Sequence, residues 1–337
     1  MFHVKPKRTE LKTAQIDTRR IIIFLLFAFG IAWTVGLTVY LRGGLVNSPA
    51  LIPGTGITEA VVFIALGYMW APALAHILTR LITREGWKEM RLRPNLRERW
   101  PAWVLAWFVP TLLIFLGIFI YFAVYPGQFD SSLGVLSDLI NSAETQSRQT
   151  FPLSPWTILL IQVGQAVLLA PLLNGFFTFG EEFGWRAYLQ PKLSGLGFRR
   201  SVLLVGLIWG LWHAPVIAMG GNFGSDYAGA PWTGILAMTW FTLWASVIFG
   251  WLTVKGGSVW PAVIAHASIN GIGGTAILVL KPDAQANPLL GPLAVGVIGG
   301  LPWLLLGLYL LWKGTPESAG SVSRETSSKS ESLQTFH

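Results

Sequence analysis

The sequence predicts an all-α polytopic membrane protein, about eight transmembrane helices in one bundle, and three observations carry that prediction. Of 337 residues, 53% are hydrophobic and only 12% charged, against about 25% charged in an ordinary soluble domain. Eight apolar runs reach the roughly 20 residues needed to cross the hydrocarbon: 21–41, 58–79, 101–124, 156–180, 201–219, 232–254, 259–280 and 290–312. The basic residues gather in alternate connecting segments, the pattern of a chain that keeps its Lys and Arg on the cytoplasmic side.

The first run follows a basic segment, residues 1–20, as a signal peptide would. It is longer than an h-region and lacks a small-residue cleavage site, so it reads as an anchor. Arg80, Arg84, Lys88, Arg91, Arg93, Arg97 and Arg99 lie between the second and third runs, and Arg186, Lys192, Arg199 and Arg200 between the fourth and fifth. Lys255 follows the sixth; Lys313, Arg324 and Lys329 follow the eighth. Of the 24 basic residues only Arg42, Arg148 and Lys281 fall on the other side, which predicts that both termini are cytoplasmic and ascribes the net charge of +8 to topology, with no nucleic-acid partner. Residues 21–313 form one transmembrane domain. Residues 314–337, rich in Ser, Glu and Thr, are too poor in apolar side chains to offset their ordering entropy and read as a disordered cytoplasmic tail. Cysteine is absent, which removes disulfides, thiolate nucleophiles, Cys-ligated metals and a lipid on a C-terminal Cys.

Ionisable side chains within apolar spans are costly and mark function. The fourth run ends in Gly180-Glu181-Glu182-Phe183-Gly184-Trp185-Arg186. Glu182 and Arg186 are four apart on one helix face, acidic partner first, and can pair. Glu181 is rotated about 100° away with no basic residue at i+3 or i+4, which leaves it a free carboxylate. The plainer reading is three charges capping the span at the cytoplasmic interface. In the fifth run His213 lies about 18 Å along the helix from Ser201; in the seventh, His266 and Asn270 share a face. A single intramembrane histidine is often structural, but three polar helices in one chain point to a shared site. His3 and His337 fall in the tails and His76 near the basic end of the second run, so these three are assigned to solvent or interface. A glutamate in a water-poor pocket can act as a general base toward water, and His266 with the Asn270 amide can donate to an oxyanion. There is no H-E-x-x-H zinc helix and no G-x-S-x-G elbow.

At these residues the sequence resembles the CAAX-protease and bacteriocin-processing (CPBP) family of intramembrane proteases, which includes the prenyl-protein endopeptidases. The family's E-E-x-x-x-R corresponds to Glu181, Glu182 and Arg186, its F-x-x-x-H to Trp209 and His213, and its H-x-x-x-N to His266 and Asn270. The resemblance covers roughly residues 155–280, with Trp209 where the family usually has Phe and Ala187 where Gly commonly follows the arginine. It implies a multi-pass protease of a prokaryotic cell membrane acting on a membrane-associated protein or peptide. Glu181 and His213 would activate water, His266 and Asn270 would stabilise the oxyanion, and Glu182, Arg186 and Trp209 would support the site. No cofactor is expected; a divalent metal such as zinc would fall to Glu181, His213 and His266. The rival readings are a proton-coupled transporter, since buried Glu and His also build proton relays, and a catalytically idle immunity or scaffold protein of the same fold. One conflict stands: straight helices put Glu181 near the cytoplasmic end of its span and His213 nearer the other face.

Overall fold

The computed structural model describes residues 16–52, 56–88 and 90–314; most of the basic N-terminal segment and the expected tail from residue 315 onward lie outside them. The Asp17 carboxylate accepts from the Arg20 amide at 3.1 Å and so caps the first helix, α1 (Thr18–Leu41). At 1.5 Å per residue α1 is about 36 Å long, enough to cross a bilayer. A short antiparallel pair, β1 (Ala50–Ile52) and β2 (Ile57–Thr58), leads into α2 (Glu59–Ile82). Then come α3 (Leu96–Val124), the loop helix α4 (Gly134–Ser147), α5 (Pro155–Leu168), α6 (Gly175–Gly184), α7 (Phe198–Trp212), α8 (Trp232–Gly256), α9 (Trp260–Ile272) and α10 (Leu301–Lys313).

The protein is an all-α integral membrane protein. Among the described residues six helical runs are long and apolar enough to span: α1, α2, α3, Phe198–Ala218, α8 and Trp260–Val279, with α5 and α10 as shorter apolar helices. The eight expected spans are therefore six continuous ones and two that are interrupted. The fourth breaks into α5, a turn at Ala170–Leu173 and α6, because Pro171 has no N–H to continue the ladder. The eighth begins in turns around Gly291, Pro292, Gly296, Gly299 and Gly300, and only α10 is helical.

The fourth run also continues past its expected end, through a wide π-turn at Trp185–Leu189 to Gln190–Lys192, and residues 180–190 are all buried. Glu181 is thus well inside the bundle and not a cytoplasmic cap, which removes the conflict with His213. Glycines allow the close packing that places it. A Cβ on Gly180 would lie 2.6 Å from the Met69 carbonyl oxygen, and one on Gly184 2.4 Å from Pro72 Cβ, so the Gly180/Gly184 face of α6 seats directly on α2. Gly206 and Gly210 do the same for α7 against α8, where a Cβ on Gly210 would meet Thr239 Cα at 2.5 Å. Small residues four apart bring helix backbones together in membranes in this way.

Candidate active site

α6, α7 and α9 each bring one polar cluster to the interior, and Trp209 of α7 touches all of them. Its indole N–H donates to Glu181 Oε2 at 2.7 Å. Its ring lies 5.2 Å from the His266 ring and 5.8 Å from the His213 ring, centroid to centroid. The Arg186 guanidinium lies over it at 4.5 Å and over the neighbouring Phe249 ring at 5.1 Å. Glu181 is therefore not a free carboxylate, as its helix neighbours alone suggested, because its partner comes from another helix.

Glu182 and Arg186 form the expected pair at 3.0 Å, both fully buried. Glu182 has a second partner, His266 Nδ1 at 2.9 Å from Oε1. Since a carboxylate only accepts, Nδ1 carries the proton and Nε2 is the other ring nitrogen's free position. Arg186 Nε and Nη2 have no hydrogen-bond partner among the described residues; the two aromatic faces take that place.

His213 sits where α7 ends. Pro215 cannot donate to the preceding turn, the chain re-forms as a short helix at Ala214–Ala218, and the His213 amide turns to the Gly210 carbonyl at 3.1 Å. The Trp209 carbonyl is thereby released and accepts from His213 Nδ1 at 2.8 Å. The remaining nitrogen, Nε2, is left with a lone pair.

Glu181, His213, His266 and Asn270 all line one cavity of about 210 Å³. Glu181 and His266 are 3% and 6% exposed, His213 is half-buried, and Asn270 is exposed. Two further residues line the cavity that the sequence did not single out. Tyr68 of α2 donates to the Trp212 carbonyl at 2.5 Å; a tyrosine within an apolar span was its available signal. Asn222, exposed and in a left-handed conformation at φ 66, lies in the turn after Ala214–Ala218; the Gly220-Gly221-Asn222 run marked a turn, but not its position over a cavity.

His76 requires a correction. It is not at solvent or interface but fully buried, with Nδ1 donating to the Phe183 carbonyl at 2.9 Å and Nε2 accepting from Arg80 Nε at 2.6 Å. The extension of the fourth run beyond Glu182 covers it. Glu181, His213 and His266 do not form a ligand cluster; among the described residues no group of three His, Cys, Asp or Glu has the spacing to hold a metal ion.

Residues 155–272 match the model of a protein family described as type II CAAX prenyl endopeptidase Rce1-like. That segment contains every residue of the three motifs. No curated protein matches the chain.

Proposed function

We propose that this membrane protein, whose residues 155–272 match the model of the type II CAAX prenyl endopeptidase Rce1-like family, is an intramembrane endopeptidase, hydrolysing a peptide bond of a membrane-associated substrate in the cavity between α6, α7 and α9. The observation that carries the reading is the placement of a glutamate, two histidines and an asparagine around one cavity.

The chemistry follows from the hydrogen bonds. A water held between Glu181 and His213 Nε2 gives a proton to Glu181 as its oxygen attacks the peptide carbonyl carbon, the general-base step. The carbonyl electrons move onto oxygen, and the oxyanion takes hydrogen bonds from the Asn270 amide and from the cavity-facing N–H of protonated His266. Glu182, accepting from His266 Nδ1, holds that ring in orientation and supports its positive charge, as a buried carboxylate does for a catalytic histidine elsewhere. Collapse of the intermediate breaks the C–N bond, and Glu181 returns its proton to the leaving amine.

The test is a comparison of membrane proteomes from cells with the wild-type chain and with Glu181→Gln. Uncut membrane proteins should accumulate with the variant. Identical proteomes at equal abundance of folded protein would sink the reading and favour an idle scaffold.

A further inference from the structure

Helix α2 presents Pro72, His76 and Arg80, spaced four apart and so on one face, and their contact with the fourth run falls on the segment that carries the two glutamates. Pro72 packs against the bare Cα of Gly184. One turn on, fully buried His76 meets the same segment through main chain and ring. Its Nδ1 donates to the Phe183 carbonyl at 2.9 Å, and the ring lies 4.3 Å from the Phe183 ring and 4.6 Å from the Tyr188 ring. Arg80 Nε donates to the other ring nitrogen, Nε2, at 2.6 Å. A carbonyl only accepts and a guanidinium only donates, so these two partners fix the tautomer of the ring and its orientation.

Arg80 is itself held, by the Gly86 carbonyl and by Glu85, 3.5 Å from Nη1. Glu85 accepts from Lys192 and, at 3.1 Å, from the Tyr188 hydroxyl, with Arg20 Nε of α1 3.5 Å away. Phe24 of α1 packs on Trp185 at 5.7 Å and on Tyr188 at 5.2 Å, and Trp185 packs on Trp212 of the cavity lining at 5.8 Å. Fully buried side chains thus close the bundle between the Glu85 network and the cavity.

A bond to the Phe183 carbonyl has leverage. The Trp185 amide reaches back four residues, to the Glu181 carbonyl, but the Gln190 amide reaches back five, to that of Trp185, so the ladder changes pitch directly after the glutamates. Wide turns of this kind are rare and concentrate at functional sites. The Glu181 and Glu182 side chains leave the helix about 100° apart, one toward the Trp209 indole and the other toward His266. Rotation of this turn about the helix axis would carry both off their partners at once. We propose that His76 is a positioning residue for the glutamate pair: braced by Arg80 and the Glu85 network, it fixes the turn at Phe183 and so sets where both carboxylates stand. Its effect on turnover rests on the endopeptidase reading above; its effect on geometry does not.

The Trp209 indole N–H, bonded to Glu181, reports that geometry without any substrate. Its NMR resonance is assigned among the 17 tryptophans by its loss in Trp209→Phe, and its unbonded position is read from Glu181→Ala. His76→Phe keeps a ring against Phe183 and Tyr188 but has no donor, and should move the resonance toward the Glu181→Ala position. His76→Asn carries an amide N–H where Nδ1 stands and should leave it where wild type has it. Both variants take the Nε2 acceptor from Arg80, so the donor is the difference between them; a resonance moved equally by both, or by neither, overturns the proposal. Should His76→Phe fail to fold, Arg80→Met, which leaves the ring but removes its second anchor, should move the resonance in the same direction, and an unmoved one overturns the proposal. On a peptide spanning the cut site of a protein that stays uncut in the Glu181→Gln membranes, His76→Phe should lower kcat on the order of 10²-fold, the effect of roughly 1 Å of misplacement, with KM little changed, and His76→Asn should recover most of the rate. A raised KM at unchanged kcat overturns the positioning role. If the resonances behave as stated while the Glu181→Gln proteome is unchanged, the endopeptidase reading fails and the placement of the pair by His76 stands.

Discussion

Glu182 holds Arg186 at 3.0 Å and His266 at 2.9 Å, so an uncharged amide at position 182 would strand a guanidinium that has no water to turn to. Removing one partner of such a buried pair costs about 3–5 kcal/mol. Glu182→Gln should therefore melt well below wild type in detergent and lose cleavage with it, whereas Glu181→Gln, which keeps an oxygen for the Trp209 indole, should melt like wild type and cleave nothing. Trp209→Phe keeps a ring over Arg186 but removes the donor to Glu181. A hydrogen bond to a charged group contributes about 1.5–3 kcal/mol, or roughly 10–100-fold in rate if all of it positions the base. The expected result is a fall in kcat with KM little changed and a modest drop in melting temperature, since the buried Glu181 oxygen loses its donor. The sequence made the Glu182–Arg186 pair readable because i,i+4 geometry is local. It could not make the Glu182–His266 or Trp209–Glu181 contacts readable, since they depend on the register of one helix against another, 84 and 28 residues away along the chain.

At the scale of elements, length and hydropathy sufficed for α1, α2, α3 and α8, whose apolar runs are unbroken. They failed for the fourth and eighth runs, where hydropathy does not register that Pro171 or the Gly291-Pro292 turn ends a hydrogen-bond ladder. The helix contacts had a signal that was present but unused: Gly180 and Gly184, and Gly206 and Gly210, are small residues four apart. Gly184→Ala would force a Cβ to 2.4 Å from Pro72 Cβ, and overpacking of this kind costs about 1–3 kcal/mol. Melting in detergent should drop accordingly. Gly164→Ala in α5, where an added Cβ meets nothing within 4 Å, serves as the control and should be neutral or stabilising, since Ala is the better helix former.

For the whole molecule, the ion network around Glu85 ties α1, α2 and the end of the fourth run together. Burial alone would raise the Glu85 pKa, but the Lys192 ammonium, Arg80 and the Tyr188 hydroxyl outweigh it and hold the carboxyl below its ordinary value of 4.5. A group with a lowered folded pKa contributes stability that is present above the unfolded value and is lost as pH falls through the folded one. Wild type should therefore lose more melting temperature than Glu85→Gln between neutral pH and about pH 3, the difference between the two being the network's share. Sealing that end has a kinetic consequence as well. On the endopeptidase reading, a pocket closed at the Glu85 end returns both cleaved fragments along the route on which the next substrate arrives. Fragments ending at the new terminus should then act as competitive inhibitors, raising the apparent KM without lowering kcat, and a progress curve should flatten before substrate is exhausted.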